Sequence, residues 1–565
     1  MRSRVVLLAL VGLLLLAGGL LAVRHRHATP PMVPAHAAAA AAVTATATTT
    51  NTADASPPWI AAHYFGRHWP KNFLNGYRRD EVAGDFRQLR DEGFNSVILL
   101  VPWAELQPDI STCCHFDERA FARLRYLLDR ADAAGLRVIL RVGYYWSFAA
   151  DGLDVRYRRL LNDPSLRPTW TAFLREVQAR LASQPAVVMS FMSWEDLPLQ
   201  LIDPSARSLY DTYLQARQLP PLPAKKRLPK RENAGMERFL DYWDWLLVNR
   251  IVVPASRVLP GLSFESRIDS DAVTETGVDG KPSTRWINHQ STYFIDGARA
   301  AVFYWAPFWG ADNRGELLQA DRALQLLQNL LDVIAAQVHG QPLFIDQLNV
   351  VDNTVGFDHN ARIDPQQIGR FLAQLPCTLK RYHVIGYGIW TERDYRESSI
   401  YNPSFAYGLE DWVFARASSA GAAGLRAVPG GDNELHMHAG DLLTQIIPID
   451  RGRNGLPYHA CITAIANAPS TLHVDIGAGD TLLHFFRRGS QEVCAAVPML
   501  PPSDAALTLR LRLGSGDLAV RDVYLFDHVQ HGDVRDTSGA GGSMLPSLRS
   551  TNLAMRDVSL RCPAR

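Results

Sequence analysis

The stretch that decides the fold is GFNSVILLVPWAELQPD at 93–109, followed by FDERAFARLRYLLDRADAAGLRVILRVG at 116–143. NSVILLVPW is a short apolar run closed by Pro-Trp and reads as a strand. FDERAFARLRYLLDRADAAG reads as a helix, and LRVILRVGYYW as the next strand. Just upstream, AAHYFG is a further strand candidate. RRDEVAGDFRQLRDEG is a helix with Val82, Phe86 and Leu89 on one face and Gly93 as its stop. Strands joined through helices, rather than through tight turns, signal parallel β/α units.

Working outward, AVVMSFMSW, a run near LPGLSFES, RAAVFYWAP, QPLFIDQLN and HVIGYGIW continue the pattern, bringing the strands to eight. The helices between them include PTWTAFLREVQARLA and LLQADRALQLLQNLLDVIAAQVHG. Eight such cycles predict a closed (β/α)8 barrel over residues 58–401. The rival doubly wound sheet would need a Gly-rich phosphate turn after its first strand, and none is present. An insertion at 203–235 with Pro and a basic run reads as a solvated surface loop, with an acidic-polymer site as the alternative. After Trp390 short alternating segments such as GDLLTQIIPI, STLHVDIGAG and LTLRLRLGS predict a β-sandwich over 402–530. The Gly/Ser-rich tail, 531–565, is expected to be loosely ordered.

Composition narrows the partners. Among 565 residues, 58 Lys and Arg face 57 Asp and Glu, so the net charge of +1 supplies no broad positive field, which argues against nucleic acid. Residues 5–23 are apolar and flanked by Arg2, Arg4, Arg24 and Arg26. This predicts a signal peptide or membrane anchor over 1–27 and export to an extracytoplasmic or periplasmic face, with 28–57 as an Ala/Thr/Pro tether. Six cysteines permit disulfides. Cys461 and Cys494 lie in neighbouring predicted strands and could pair, Cys113 and Cys114 are adjacent, and Cys377 and Cys562 stand isolated. No Cys/His spacing fits zinc, so no metal and no cofactor is expected.

In a barrel the chemistry sits where strands end. Here the ends read VPWAELQP, VGYYW, MSWED, SFESRID, FYWAP, FIDQLN and GIWTERD. Trp103, Trp146, Trp194, Trp305 and Trp390 close successive strands, and Glu105, Glu195 and Glu265 stand at or just past the rim. Flat aromatic faces that stack on sugar rings, with acids and amides for hydroxyls, suit a carbohydrate cleft.

These residues carry a resemblance. The region from about 60 to 400 resembles the clan A glycoside hydrolases, retaining (β/α)8 glycosidases that include cellulases, mannanases and β-galactosidases, and the stretch quoted first is its most specific part. In that clan strand four closes with Asn-Glu, the Glu being the general acid/base. The matching pair is Trp194-Glu195, which keeps the Glu and not the Asn. A Glu beside Trp in an apolar cleft is expected to have a raised pKa, as a proton donor needs. The clan's nucleophilic Glu on strand seven corresponds to Gln347, and an amide cannot attack an anomeric carbon.

Three alternatives stay open for the second group. Glu265 supplies it, ranked first; Asp346 faces the cleft through a register slip of one; or the site is silent. Arg267 and Asp269 alternate with Glu265, so Arg267 could keep a carboxylate ionised. Resemblance further implies substrate contacts for Tyr304 and Trp390. His63 and His289 read as structural, and NPSFAYGLEDW resembles the first strand of jelly-roll carbohydrate-binding modules. The expected activity is hydrolysis of a poly- or oligosaccharide. A non-catalytic polysaccharide-binding protein and a transglycosylase of exopolysaccharide are the alternatives.

Overall fold

The computed structural model describes residues 58–565 apart from 145–154, 197–206, 229–235, 277–281, 292–296, 352–359, 419–422, 448–456, 498–506, 563–565 and a few single or paired positions. The apolar segment 5–23 and the tether 28–57 lie outside the described residues. Among those described, no helix is long and apolar enough to cross a membrane.

Eight parallel strands form the barrel: β1 Trp59–Tyr64, β2 Ser96–Pro102, β3 Arg137–Tyr144, β4 Val187–Met192, β5 Ser263–Phe264, β6 Ala301–Trp305, β7 Leu343–Leu348 and β8 Val384–Ile389. Their order is β5-β4-β3-β2-β1-β8-β7-β6. The ring closes just past β5, where Glu265 bridges Val302 in parallel and Ser266 N–H donates to the Val302 carbonyl at 2.7 Å. Helices pack outside. In Glu118–Ala133 the side chain of Asp117 accepts from the N–H groups of Arg119 and Ala120, an N-cap, and Phe121, Leu124, Leu127, Leu128 and Ala131 are buried at helical spacing.

Strand period two sorts side chains between bore and helix layer. Ala61, Ile98, Ile139, Phe191, Val302 and Phe344 form one buried cluster that fills the bore. Their chain neighbours Ala62, Leu99, Leu140, Phe303 and Ile345 belong to the core shared with the helices. Two residues further along, the inward positions are His63, Leu100, Arg141, Ser193, Tyr304 and Asp346, so the layer above an apolar plug is mostly polar. Gly388 allows the closest approach there: a Cβ would lie 2.5 Å from the Asp346 carbonyl oxygen.

The sandwich has two antiparallel sheets. One is centred on Asp517–Gln530, flanked by Asn433–His438 and His459–Ala466. The other runs Val413–Ala415, Leu442–Ile447, Leu507–Ser515, Ser470–Asp475, Asp480–Phe485. In Leu507–Ser515, Leu509, Leu511 and Leu513 are buried while Arg510 and Arg512 are exposed, the expected alternation. In the NPSFAYGLEDW stretch Phe405 and Trp412 are buried in the sandwich core, and Asn402 closes its loop on the carbonyls of Gly408 and Glu410. Barrel and sandwich form one compact unit. Arg123 pairs with Asp432, and Arg78 reaches Asp522 at 3.7 Å, with all four side chains buried.

Three expectations are corrected. The tail from 531 is ordered around the helix Leu545–Arg556. There the buried Asn552 accepts from the Tyr387 hydroxyl at 2.5 Å and donates to the Glu92 carbonyl at 2.9 Å; Gly/Ser richness upstream masked this amphipathic segment. Cys377 and Cys562, isolated in sequence, form a disulfide that fixes the chain end to the barrel helix Ile368–Arg381. The insertion at 203–235 is no plain loop, since Arg207–Ala216 is a helix with Tyr210, Tyr213 and Leu214 buried. The Cys461–Cys494 disulfide is present, between residues directly opposite in adjacent strands.

Candidate active site

Arg141 near the end of β3 anchors the mouth of the barrel. A charge inside a bore needs partners, and Arg141, 2% exposed, has them. Its Nε and Nη2 donate to the two carboxylate oxygens of Asp196 at 2.8 and 3.0 Å, a bidentate pair, and Nη2 also lies 3.4 Å from Glu195 Oε2. Trp194–Asp196 is a single 3₁₀ turn after β4, which turns Asp196 inward and leaves the Glu195 side chain 38% exposed. Glu195 Oε2 accepts a second hydrogen bond, from Gln347 Nε2 at 2.7 Å, while Oε1 receives none from a described residue.

Below this rim sit two buried carboxyls. Glu265 is 0% exposed; its Oε2 accepts from the Ser193 hydroxyl and, at 3.1 Å, from the Trp194 N–H, while Oε1 has no partner among the described residues. Asp346 is equally buried, and among the described residues neither of its carboxylate oxygens is hydrogen-bonded. Burial, then the negative charges of Asp346 and Glu195, pushes the Glu265 carboxyl well above the ordinary range. Burial likewise raises that of Asp346, against the opposing pull of Arg141. His63 Nε2 donates to the Asp346 carbonyl oxygen, 3.0 Å away. Burial and the nearby Arg141 lower its pKa to about 3, so this histidine is a neutral structural bridge between β1 and β7.

Pairing of β7 with β6 shifts register between Ile345 and Gln347. A bulge of this kind puts an extra residue in one strand and re-aims its neighbours. Asp346 holds its inward place and Gln347 still reaches the mouth.

Aromatic side chains border the cluster. Half-buried Trp390 stands 4.9 Å from the His63 ring, donates its indole N–H to the Tyr395 hydroxyl at 3.2 Å and lies 6.3 Å from Trp69. Half-buried Trp194 lies 6.0 Å from Tyr304.

Other sequence candidates do not join the site. Trp103 and Trp305 have the outward parity and are 1% and 0% exposed. The former packs among Tyr157, Trp170 and Phe173, the latter stacks on Phe371 of an outer helix. Glu105 is turned away from the bore. It accepts from the Leu74 N–H at 2.9 Å, and burial raises its pKa to about 8. Glu195 meets a guanidinium and an amide instead of the expected apolar wall. Trp146 and the side chains of Arg267, Asp269 and His289 lie outside the described residues.

Sequence reading missed Arg141, Asp196 and Ser193. The available signal was a charged residue at an inward position of an otherwise apolar strand, VILRV. Among the described residues the one group of metal-ligating side chains within mutual reach is Cys461, Glu492 and Cys494, and its two sulfurs are joined as a disulfide.

No family model matches the sequence, and no curated protein does. Among solved structures the chain is similar to a GH5_18 variant from Streptomyces cattleya in complex with Manb1-4GlcNAc, with 16% identity and a TM-score of 0.39, covering 60% of this chain and 72% of that one. It is also similar to the exo-beta-1,4-mannosidase Op5Man5 from Opitutaceae bacterium strain TAV5, with 14% identity and a TM-score of 0.38, covering 60% and 53%. A GH5_18 variant from Bifidobacterium longum subsp. longum ATCC 55813 in complex with Manb1-4GlcNAc gives 14%, 0.38, 60% and 70% in the same order. At these values the functional reading rests on the side chains at the barrel mouth.

Proposed function

We propose that this protein is an exported glycosidase acting on a neutral poly- or oligosaccharide, with Glu195 as the carboxyl that exchanges a proton with the glycosidic oxygen. One observation carries the reading. Of the four carboxyls gathered around Arg141, Glu195 alone has an exposed side chain, while Asp196, Glu265 and Asp346 are 2% exposed or less. Gln347 and Arg141 hold the other oxygen and so fix the side chain's direction, which is what proton transfer in a preset geometry requires. In this reading Asp346 and Glu265 complete the site from below, by charge and proton storage rather than contact. Trp194 and Trp390 offer sugar-stacking faces. Two disulfides support an oxidising, extracytoplasmic setting.

Gln347 favours a second reading. Because an amide occupies the position that in the clan supplies the nucleophile, the cleft would bind polysaccharide without cutting it. Incubating the full chain with a panel of neutral oligosaccharides, followed by product chromatography and binding measurements, separates the two. New reducing ends support the glycosidase, longer products indicate transglycosylation, and binding without products supports the second reading.

A further inference from the structure

Far along the loop that follows β2 lies a second chemical feature, independent of the barrel mouth. Cys113 and Cys114 are free, exposed and adjacent, and their side chains hydrogen-bond to each other, which raises the Cys114 thiol. The loop holding them is pinned. Gln107 Nε2 donates to the Cys113 carbonyl at 2.8 Å, and Asp117 N–H closes the loop base on the Leu106 carbonyl at 3.0 Å. The chain's other four cysteines are consumed in two disulfides, so neither thiol has a third cysteine of this chain to pair with.

Both cysteines line a cavity of about 870 Å³ together with His115, Glu118, Arg167, Arg175, Glu176 and Arg180. Charge there is lopsided. Three arginines and two glutamates line the cavity, a net charge of +1: Arg180 pairs with both Glu118 and Glu176, whereas Arg167 and Arg175 have no ion-pair partner among the described residues.

We propose that Cys113 and Cys114 form a redox-convertible dithiol site whose ligand is a small anionic disulfide, drawn to the groove by Arg167 and Arg175. One cysteine thiolate attacks a sulfur of the disulfide, a mixed disulfide forms and one small thiolate leaves. The neighbouring cysteine thiolate then attacks the protein-bound sulfur and expels the second small thiolate. Two cysteine thiols are thereby oxidised to one bridge between adjacent residues, and the small disulfide is reduced to two thiols, which take up the two protons. Anionic disulfides are favoured because the groove's net positive charge, carried by Arg167 and Arg175, concentrates them.

The test uses the full chain with both structural disulfides intact, exposed to oxidised glutathione at low ionic strength and followed by intact-mass and peptide mass spectrometry. The expected wild-type product is the chain lighter by about 2 Da in the peptide holding both cysteines, with no retained adduct. C113S and C114S instead each keep one glutathione adduct. Oxidised glutathione reacts faster than cationic cystamine, and R167E/R175E reverses that order. Stable adducts on the wild type, a disulfide-linked dimer, or no reaction would overturn the dithiol assignment. An order of rates unchanged in R167E/R175E would overturn the role of the groove.

Discussion

Replacing Arg141 with Met keeps an unbranched apolar stem and removes the guanidinium and its charge from a buried position. The substitution deletes two hydrogen bonds to Asp196, at 2.8 and 3.0 Å, and the 3.4 Å contact with Glu195. The buried Asp196 then loses both of these hydrogen bonds, and Glu265 and Asp346 lose the positive charge that opposes the effect of their burial. Breaking a buried pair from one side costs about 3–5 kcal/mol, a large share of the roughly 5–15 kcal/mol that holds a domain folded. Urea unfolding at neutral pH should therefore show a much lower midpoint with an unchanged slope. Because Glu265 and Asp346 have raised carboxyl pKa values, they take up protons readily as the pH falls, and the deficit should shrink under mild acid. The double variant R141M/D196L removes both partners and should recover most of the loss, since apolar replacement of a buried pair is close to neutral. A loss below about 1 kcal/mol for R141M, or a double variant no more stable than the single one, would refute the reasoning.

Three further outcomes follow from particular contacts. Asn552→Ala strands the Tyr387 hydroxyl and the Glu92 carbonyl and should cost about 1–3 kcal/mol for each group left unsatisfied, read as a fall in Tm. Glu105 has a folded pKa raised to about 8, so the folded chain holds this proton more tightly than the unfolded chain does and stability drains away as pH rises towards that value. Glu105→Gln cannot ionise and should gain on the wild type by up to roughly 5 kcal/mol between about pH 5 and about pH 9 in paired denaturation curves. Gln347→Glu sets a second carboxyl 2.7 Å from the Glu195 oxygen, where both cannot carry charge. The alkaline limb of the pH–rate profile, where the proton donor is lost, should move to higher pH.

Barrel and sandwich were legible because their signals are periodic: apolar strands alternating with helices from 59 to 390, then alternating runs such as LTLRLRL. Glu195 was legible because it closes a strand. The aromatic ring was only half legible, because closing a strand does not say which way a residue points. Trp305 follows Phe303 at the outward parity and packs under a helix, whereas Tyr304 and Asp346 continue the inward one. Arg141 was passed over as part of an apolar strand, although its charge inside VILRV asked for a partner. The Cys377–Cys562 bridge and the docking of Asn552 join positions far apart in the chain, which no local pattern announces.

The central claim is that the half-exposed carboxyl of Glu195 performs proton transfer on a bound sugar. Its most direct test is turnover and binding of Glu195→Gln, side by side with wild type, on the oligosaccharide that the panel identifies. Substrate affinity should stay near the wild-type value while kcat falls by about 10²–10⁴-fold, the amount that general acid–base catalysis contributes. A fall of less than about tenfold, with the fold intact, would contradict the account.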